Sequence, residues 1–333
     1  MDLAKLTIDQ IKAILTSNRE DLKNYSFYPK SNSTIVMERK CKNVVVDYGL
    51  FTPEQIVTNA TVYNDYLRDK INVLFDKVFI PVIQKNKKGT IVLVHGAWHT
   101  GPLLEKTANF LRKKYDWAVY TPTIRGNKPG DNRANINLTQ AIQSITDFIL
   151  ELDLKDVVLV GHSYGGMVIS GVVDKLFQKN IIKRLVYWNA FVPFNGQALV
   201  DMTPQSYNDL FAFLASTNDN AVFLPFPIWR EAFINFGDLQ LAEKTYNELN
   251  PQPYLTFTEK LEFKNFEQLA TLNIGKSYIN GLADIALPQT LGWSPRLSER
   301  LGLSRYIDHP YDHEVCFDNP EVLAKCINEA GRD

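Results

Sequence analysis

Cysteine is scarce in this chain: Cys41, Cys316 and Cys326 are scattered over 333 residues. An odd, dispersed set builds no disulfide framework, and no C-x-x-C pair offers a thiolate clamp to zinc. A disulfide-stapled or zinc-ribbon scaffold is therefore excluded, and a reducing compartment, the cytoplasm, is the expected address. Excess charge is missing too. The 36 Lys and Arg against 37 Asp and Glu leave a net charge of -1, so neither nucleic acid nor an anionic membrane is expected as a partner. Nowhere do 18 apolar residues run together, so no segment reads as a spanning helix. The first residues, MDLAKLTIDQIKAILTSNRE, lack the continuous apolar stretch of a signal peptide. Internal repeats and low-complexity tracts are absent. What remains is 45% hydrophobic and 22% charged, an ordinary globular composition with room for one large α/β domain and insertions.

Three textures follow one another. Residues 1–88 are polar and mixed, and we read them as an N-terminal extension, mainly helical. Leu6, Ile8, Ile11, Ile14, Leu15 and Leu22 give one apolar stripe. Ile56, Ala60, Tyr63, Leu67, Ile71, Leu74 and Val78 give another at steps of four and three, the spacing of one helix face. That face packs either on the rest of the chain or on a second copy in a homodimer. Between the stripes, Thr34–Met37 and Val44–Val46 are candidate strands. From Gly89 onward, apolar runs at 90–94, 117–120, 157–160, 184–188, 276–279 and 305–307 alternate with helical patterns. Continuous apolar strands separated by helices predict a mostly parallel, doubly wound sheet with both faces covered. Residues 196–271 interrupt this rhythm with aromatics and prolines and read as a mostly helical cap over an apolar pocket.

The most informative segment is Gly161-His162-Ser163-Tyr164-Gly165-Gly166, between the run Val157–Val160 and the helical pattern from Met167. A G-x-S-x-G between strand and helix reads as a nucleophile elbow, a turn so tight that the serine's neighbours must be almost free of side chain. Serine needs a base within hydrogen-bond reach, and only five histidines are available. His313, in the loop after the last expected strand and before the helix start at Asn319-Pro320, is the expected base, with His309 the competitor. Asp284, just after the strand at 276–279, is the expected carboxylate to orient it, with Asp308 and Asp312 as rivals. For the oxyanion, the expected donors are the main-chain N–H groups of Tyr164 and Ala97, with Trp98 as the alternative to Ala97. His95, Gly96 and Trp98 after the first core strand, together with His162, are the expected surroundings of the substrate. His309 and His313 flank Pro310 in a loop rather than sharing a helix face, so no metal is expected, and no organic cofactor.

These motifs, Leu93-Val94-His95-Gly96-Ala97-Trp98-His99, then the elbow, then Asp284-Ile285-Ala286-Leu287-Pro288, then Asp312-His313 with Pro320, resemble the α/β-hydrolase superfamily. Within it the chain is similar to small esterases related to plant methyl-salicylate esterases and hydroxynitrile lyases. The segment Leu249-Asn250-Pro251-Gln252-Pro253 is also similar to bacterial members. The resemblance covers residues 89–330 and says nothing of the extension. It implies the α/β-hydrolase fold, a Ser163–Asp284–His313 triad and cleavage of a small acyl substrate without cofactor. Hydroxynitrile lyases of this branch carry lysine directly after the catalytic histidine and threonine after the histidine of the first motif. Here Glu314 and Gly96 stand in those places, which weighs against the lyase reaction. Members also include thioesterases, lactonases, cofactor-free dioxygenases and ligand receptors, so the alternative reading is an acyltransferase, lyase, cyclase or cofactor-free oxygenase on the same fold, or a ligand receptor.

Overall fold

The computed structural model describes residues 87–332 and, before them, the segments 25–31, 34–39 and 44–48. The chain divides into two compact units, Met1–Asn86 and Lys87–Asp333. In the first, β1 (Tyr25–Ser31), β2 (Thr34–Arg39) and β3 (Val44–Tyr48) form an antiparallel sheet in that order. β2 and β3 contain the two strands expected from their apolar runs. β1 was not anticipated: Pro29 and Lys30 count against a strand, and the register slips between Pro29 and Ser31, where a proline is tolerated. Both apolar helical stripes lie outside the described residues.

The second unit opens with β4 (Thr90–Val94), α1 (Glu105–Lys114), β5 (Ala118–Tyr120), α2 (Leu138–Glu151), β6 (Val157–His162), α3 (Gly165–Leu176) and β7 (Ile182–Trp188). A long connection follows, with α4 (Gln205–Ser216), β8 (Ala221–Val222), α5 (Leu239–Tyr246) and β9 (Gln252–Pro253). β10 (Gly275–Gly281), β11 (Arg305–His309) and α6 (Pro320–Gly331) close the chain. Local chemistry explains these elements. α2 starts at a reciprocal cap: the Asn137 side chain accepts from the Gln140 N–H, and the Gln140 side chain accepts from the Asn137 N–H. Its Ile142, Ile145 and Ile149 are buried, each contributing roughly 2 kcal/mol.

The strands of the main sheet run β11-β10-β7-β6-β4-β5, every pair parallel. The chain moves outward from β4 to β5, then returns across β4 to β6 and continues the other way. Right-handed crossovers put α1 and α2 on opposite faces when the direction reverses. The reversal leaves a crevice beyond the carboxyl ends of β4 and β6, where α/β sheets bind ligands.

Candidate active site

β4 and β6 end abreast, Val94 opposite Gly161, so the loops that follow them face each other across the crevice. Ser163 sits there in left-handed backbone, φ +52°. A Cβ on Gly161 would lie 2.7 Å from the Gly165 carbonyl oxygen, and one on Gly165 would lie 2.7 Å from the carbonyl oxygens of Val94 and His95. No side chain fits at either place. Main-chain bonds tie the turn down: Ser163 N–H donates to Trp188 O (3.2 Å), and Ser163 O accepts from Gly166 N–H (3.0 Å) and Phe191 N–H (3.1 Å). α3 begins two residues later and points its positive end at the serine.

The histidine and carboxylate come from the far side of the sheet. β10 pairs with β11 so that Gly281 lies opposite His309, and the loops beyond them meet. There His313 Nδ1–H donates to Asp284 Oδ2 at 2.6 Å, both side chains buried. Nε2 is left to carry the lone pair. Asp284 is itself fixed, accepting from Ala286 N–H (2.9 Å) on Oδ1 and from Asn189 Nδ2 on Oδ2. Asn189 sits at the end of β7 with φ +40° and also accepts from Gly281 N–H at 2.9 Å. The His313 ring stacks on Trp293 (centroids 5.1 Å apart) and meets Phe233 edge-on (5.3 Å). Burial works to lower its pKa, but the Asp284 carboxylate, helped by Glu314 and Asp312, outweighs this and holds it above 6.5.

The other expected candidates sit elsewhere. His309 ends β11, accepts from Tyr311 N–H (3.3 Å), and burial pulls its pKa down to about 4. Asp308 accepts from Asn280 Nδ2 (3.1 Å). Asp312 accepts main-chain N–H groups of Phe236 (2.8 Å) and Glu314 (3.0 Å), and burial raises its pKa to about 7. The carboxylate at His313 is thus Asp284, not Asp308 or Asp312. His162 turns away from Ser163: its ring stacks on Trp188 at 3.8 Å and its Nε2–H donates to His313 O at 3.0 Å. Burial, with the neighbouring His313 and His99, keeps it far below 6.5 and neutral. His95 accepts from Ile124 N–H on Nε2 (3.0 Å) and donates from Nδ1 to Gly96 O (2.8 Å). Burial pulls it down to about 3.

The main-chain N–H groups of Trp98 and Ala97 differ in their bonding. Trp98, in left-handed backbone with φ +64°, donates its N–H to Gln252 Oε1 at 3.1 Å. Among the described residues, the N–H groups of Ala97 and Tyr164 have no such protein acceptor. The Trp98 indole donates to Val222 O (2.9 Å) and packs against Phe211, Phe233 and Phe257, all within 5.9 Å of it. The connection between β7 and β10 therefore supplies aromatic walls to this loop. Gln252 also accepts from Asn127 Nδ2 (2.7 Å) and donates to Thr256 Oγ1 (2.8 Å), which explains why Asn250-Pro251-Gln252-Pro253 stands out in the sequence.

Sequence reasoning missed Asn189, Gln252, Trp293 and the partnership of Glu314 with His99. One cluster has metal-like proximity: His162, His313 and Glu314 each bring a ligand atom within 4.8 Å of the others. Each has one protein partner, in His313 O, Asp284 or His99, while His162 Nδ1 and Glu314 Oε1 have none among the described residues.

A glycine-framed serine at the switch point of a parallel sheet, with a carboxylate–histidine pair from the last two strands packed against its neighbour His162 (ring centroids 4.6 Å apart), is the arrangement of an α/β hydrolase. The comparisons agree. The profile of the "Alpha/beta hydrolase family" matches residues 91–300. A carbendazim hydrolyzing esterase of Nocardioides sp. (strain SG-4G) is 33% identical over 248 residues, 72% of this chain and 98% of its own. Putative methylesterase 11, chloroplastic, of Arabidopsis thaliana is 30% identical over 229 residues, 61% of this chain and 54% of its own. An extracellular α/β-hydrolase from a Paenibacillus species, described as sharing structural and functional homology with tobacco salicylic acid binding protein 2, superposes with a TM-score of 0.68 at 36% identity, covering 73% of this chain and 99% of that one. The chain belongs to the α/β-hydrolase family and is an esterase-type enzyme. No helix among the described residues is long and apolar enough to cross a membrane.

Proposed function

We propose that the protein is a serine esterase that cleaves a carboxylic ester, thioester or lactone of a small to medium, apolar or aromatic substrate through an acyl-enzyme. The observation that carries this reading is the 2.6 Å bond between His313 Nδ1 and Asp284 Oδ2, buried beside the elbow. Ser163 Oγ attacks the acyl carbonyl while His313 Nε2 takes its proton. Asp284 holds the imidazole in the required tautomer and stabilises its cation. The N–H groups of Ala97 and Tyr164 receive the oxyanion, where preorganised donors count most. His313 then returns the proton to the leaving alcohol and deprotonates the water that releases the acid. The aromatic surroundings of Trp98 favour an uncharged, partly aromatic substrate. Cys316 and Cys326 are free and buried, which supports a reducing, cytoplasmic setting.

The test is labelling with a fluorophosphonate, read by peptide mass, with turnover of a panel of aryl esters, acyl thioesters and lactones. The expected result is one adduct, on Ser163, and hydrolysis of at least one class. An unlabelled Ser163 together with no turnover would sink the reading.

A further inference from the structure

We propose that Glu314 and His99 act as a positioning pair that holds the Ala97 backbone, and through it the Ala97 N–H, at the place where the oxyanion forms. This rests on the acyl-enzyme reading above. The two side chains are 1% and 2% exposed, and Glu314 Oε2 lies 3.0 Å from His99 Nε2. On the opposite side of the ring, His99 Nδ1–H donates to the Ala97 carbonyl at 2.6 Å. One imidazole therefore joins the loop after β4 to the residue that follows His313. The ring has little freedom to tilt: it stacks on Phe317 (5.7 Å), and His162 and Trp229 close in at 5.8 Å each.

The bonding around Ala97 shows what this joint controls. The peptide between Ala97 and Trp98 is held at both ends, its carbonyl by His99 and its N–H by Gln252 Oε1. The peptide between Gly96 and Ala97, which carries the Ala97 N–H, has its carbonyl bonded to His95 Nδ1–H at 2.8 Å. Two histidines thus grip the carbonyls on either side of the Ala97 N–H. The hold has to resist strain, because Trp98 is left-handed at φ +64° without being glycine. Glu314 is the outer anchor. A buried carboxylate is costly to desolvate, and an apolar residue of similar volume is often at least as stable in such a place. Here Glu314 Oε1 has no partner at all. Oε2, in contrast, receives both the His99 contact and the Cys316 thiol (3.7 Å). The carboxylate's contribution is geometric: it fixes where His99 Nε2 sits, hence where Nδ1 holds Ala97. It sits beside His313 in sequence, so base and oxyanion donor share one frame.

The experiment compares Glu314→Leu with Glu314→Gln. Leucine leaves His99 Nε2 without a partner. Glutamine restores one, because its amide N–H donates to Nε2 while Nδ1–H stays on Ala97. For the best substrate of the panel, Glu314→Leu should lower kcat by about 10- to 100-fold with KM changed less than about threefold, the scale expected when a transition-state contact is misplaced. Glu314→Gln should recover at least about a third of the wild-type kcat. The amide 1H–15N resonances of Ala97 and Trp98 should move in Glu314→Leu and return in Glu314→Gln. A second pair serves if Glu314→Leu does not fold. His99→Asn keeps an amide donor near the Nδ1 position, and His99→Leu removes it, so the asparagine variant should retain the higher kcat. The proposal is overturned by a Glu314→Leu kcat within twofold of wild type, by an effect on KM alone, or by unmoved Ala97 and Trp98 resonances. Equal damage in either pair overturns it as well. Should the wild-type enzyme show neither a Ser163 adduct nor turnover, the esterase reading falls by itself, and the resonances alone judge the pair.

Discussion

At the elbow, Ser163 is placed by main-chain atoms: carbonyls crowd Gly161 and Gly165, and three backbone hydrogen bonds pin the turn. Across the crevice, His313 is placed by side chains: Asp284 on Nδ1, Asn189 behind Asp284, Trp293 and Phe233 on the ring. The first arrangement has almost nothing to delete, and it fails when atoms are added. The second fails when one side chain is trimmed. It is also tunable, because each partner shifts the charge or tautomer of the next. In the proposed mechanism a nucleophile needs a fixed position, whereas a base needs a position and a pKa, and the division is the one that mechanism would demand.

Replacing the serine itself should have the largest effect. Ser163→Ala leaves the turn intact, because alanine carries the same Cβ, and should lower kcat by on the order of 10⁴-fold or more. Steady-state turnover and the melting temperature are the readouts, and the melting temperature should stay near that of wild type. On the side-chain half, Asp284→Asn should lower kcat by roughly 10²–10⁴-fold by favouring the wrong tautomer, while Asp312→Asn, which touches only main-chain N–H groups, should stay within about tenfold of wild type. Equal losses in the two would dissolve the assignment.

The same carboxylate sets a pH signature. If His313 is the base as proposed, it works only when neutral, and kcat/KM should rise with pH as His313 loses its proton. Asp284 holds that pKa above 6.5, so the acid limb of wild type should lie above this value. Removing the carboxylate leaves burial, which favours the neutral ring, and the limb of Asp284→Asn should shift to lower pH. A limb that stays in place would mean that another group titrates.

Asn189→Gly tests the outer support without straining a left-handed position. It should reduce kcat by about tenfold and stability by about 1–3 kcal/mol, the cost of leaving buried partners unpaired, with chemical denaturation as the second readout. The last test, with an effect no larger than that of Asn189→Gly, adds atoms beside the elbow. In Gly96→Thr the new Cβ would lie 2.9 Å from His162 Nδ1 and 3.1 Å from Ser163 Cβ, so kcat/KM should fall by about tenfold, the scale of modest overpacking. Unchanged ester kinetics would show that this loop does not border the reacting atoms.

The backbone-built half was legible in the sequence for a plain reason. A turn that admits no Cβ writes itself as glycine at fixed offsets, and a parallel sheet writes itself as apolar runs such as Thr90–Val94 and Val157–Val160. Asp284 and His313 were legible one step less directly, through strand ends and chain order. The supports were not. Asn189 meets Asp284 across 95 positions, and Trp98 meets Gln252 across 154. An asparagine after a strand or a glutamine between prolines has no periodicity to betray its partner. The sequence favours Ala97 over Trp98 as the donor but gives no sign that Gln252, from β9, takes the Trp98 N–H. β1 was hidden by Pro29, which is tolerated at an irregular pairing that no local pattern announces.

The stacking of Trp293 on His313, with ring centroids 5.1 Å apart and planes 18° from parallel, has an optical consequence. An excited indole passes an electron readily to an imidazolium and far less readily to a neutral imidazole. Trp293 emission should therefore dim as the base takes up its proton and recover as it lets the proton go. The chain has five tryptophans, so the difference in emission between wild type and Trp293→Phe should report the protonation of His313 in the resting protein.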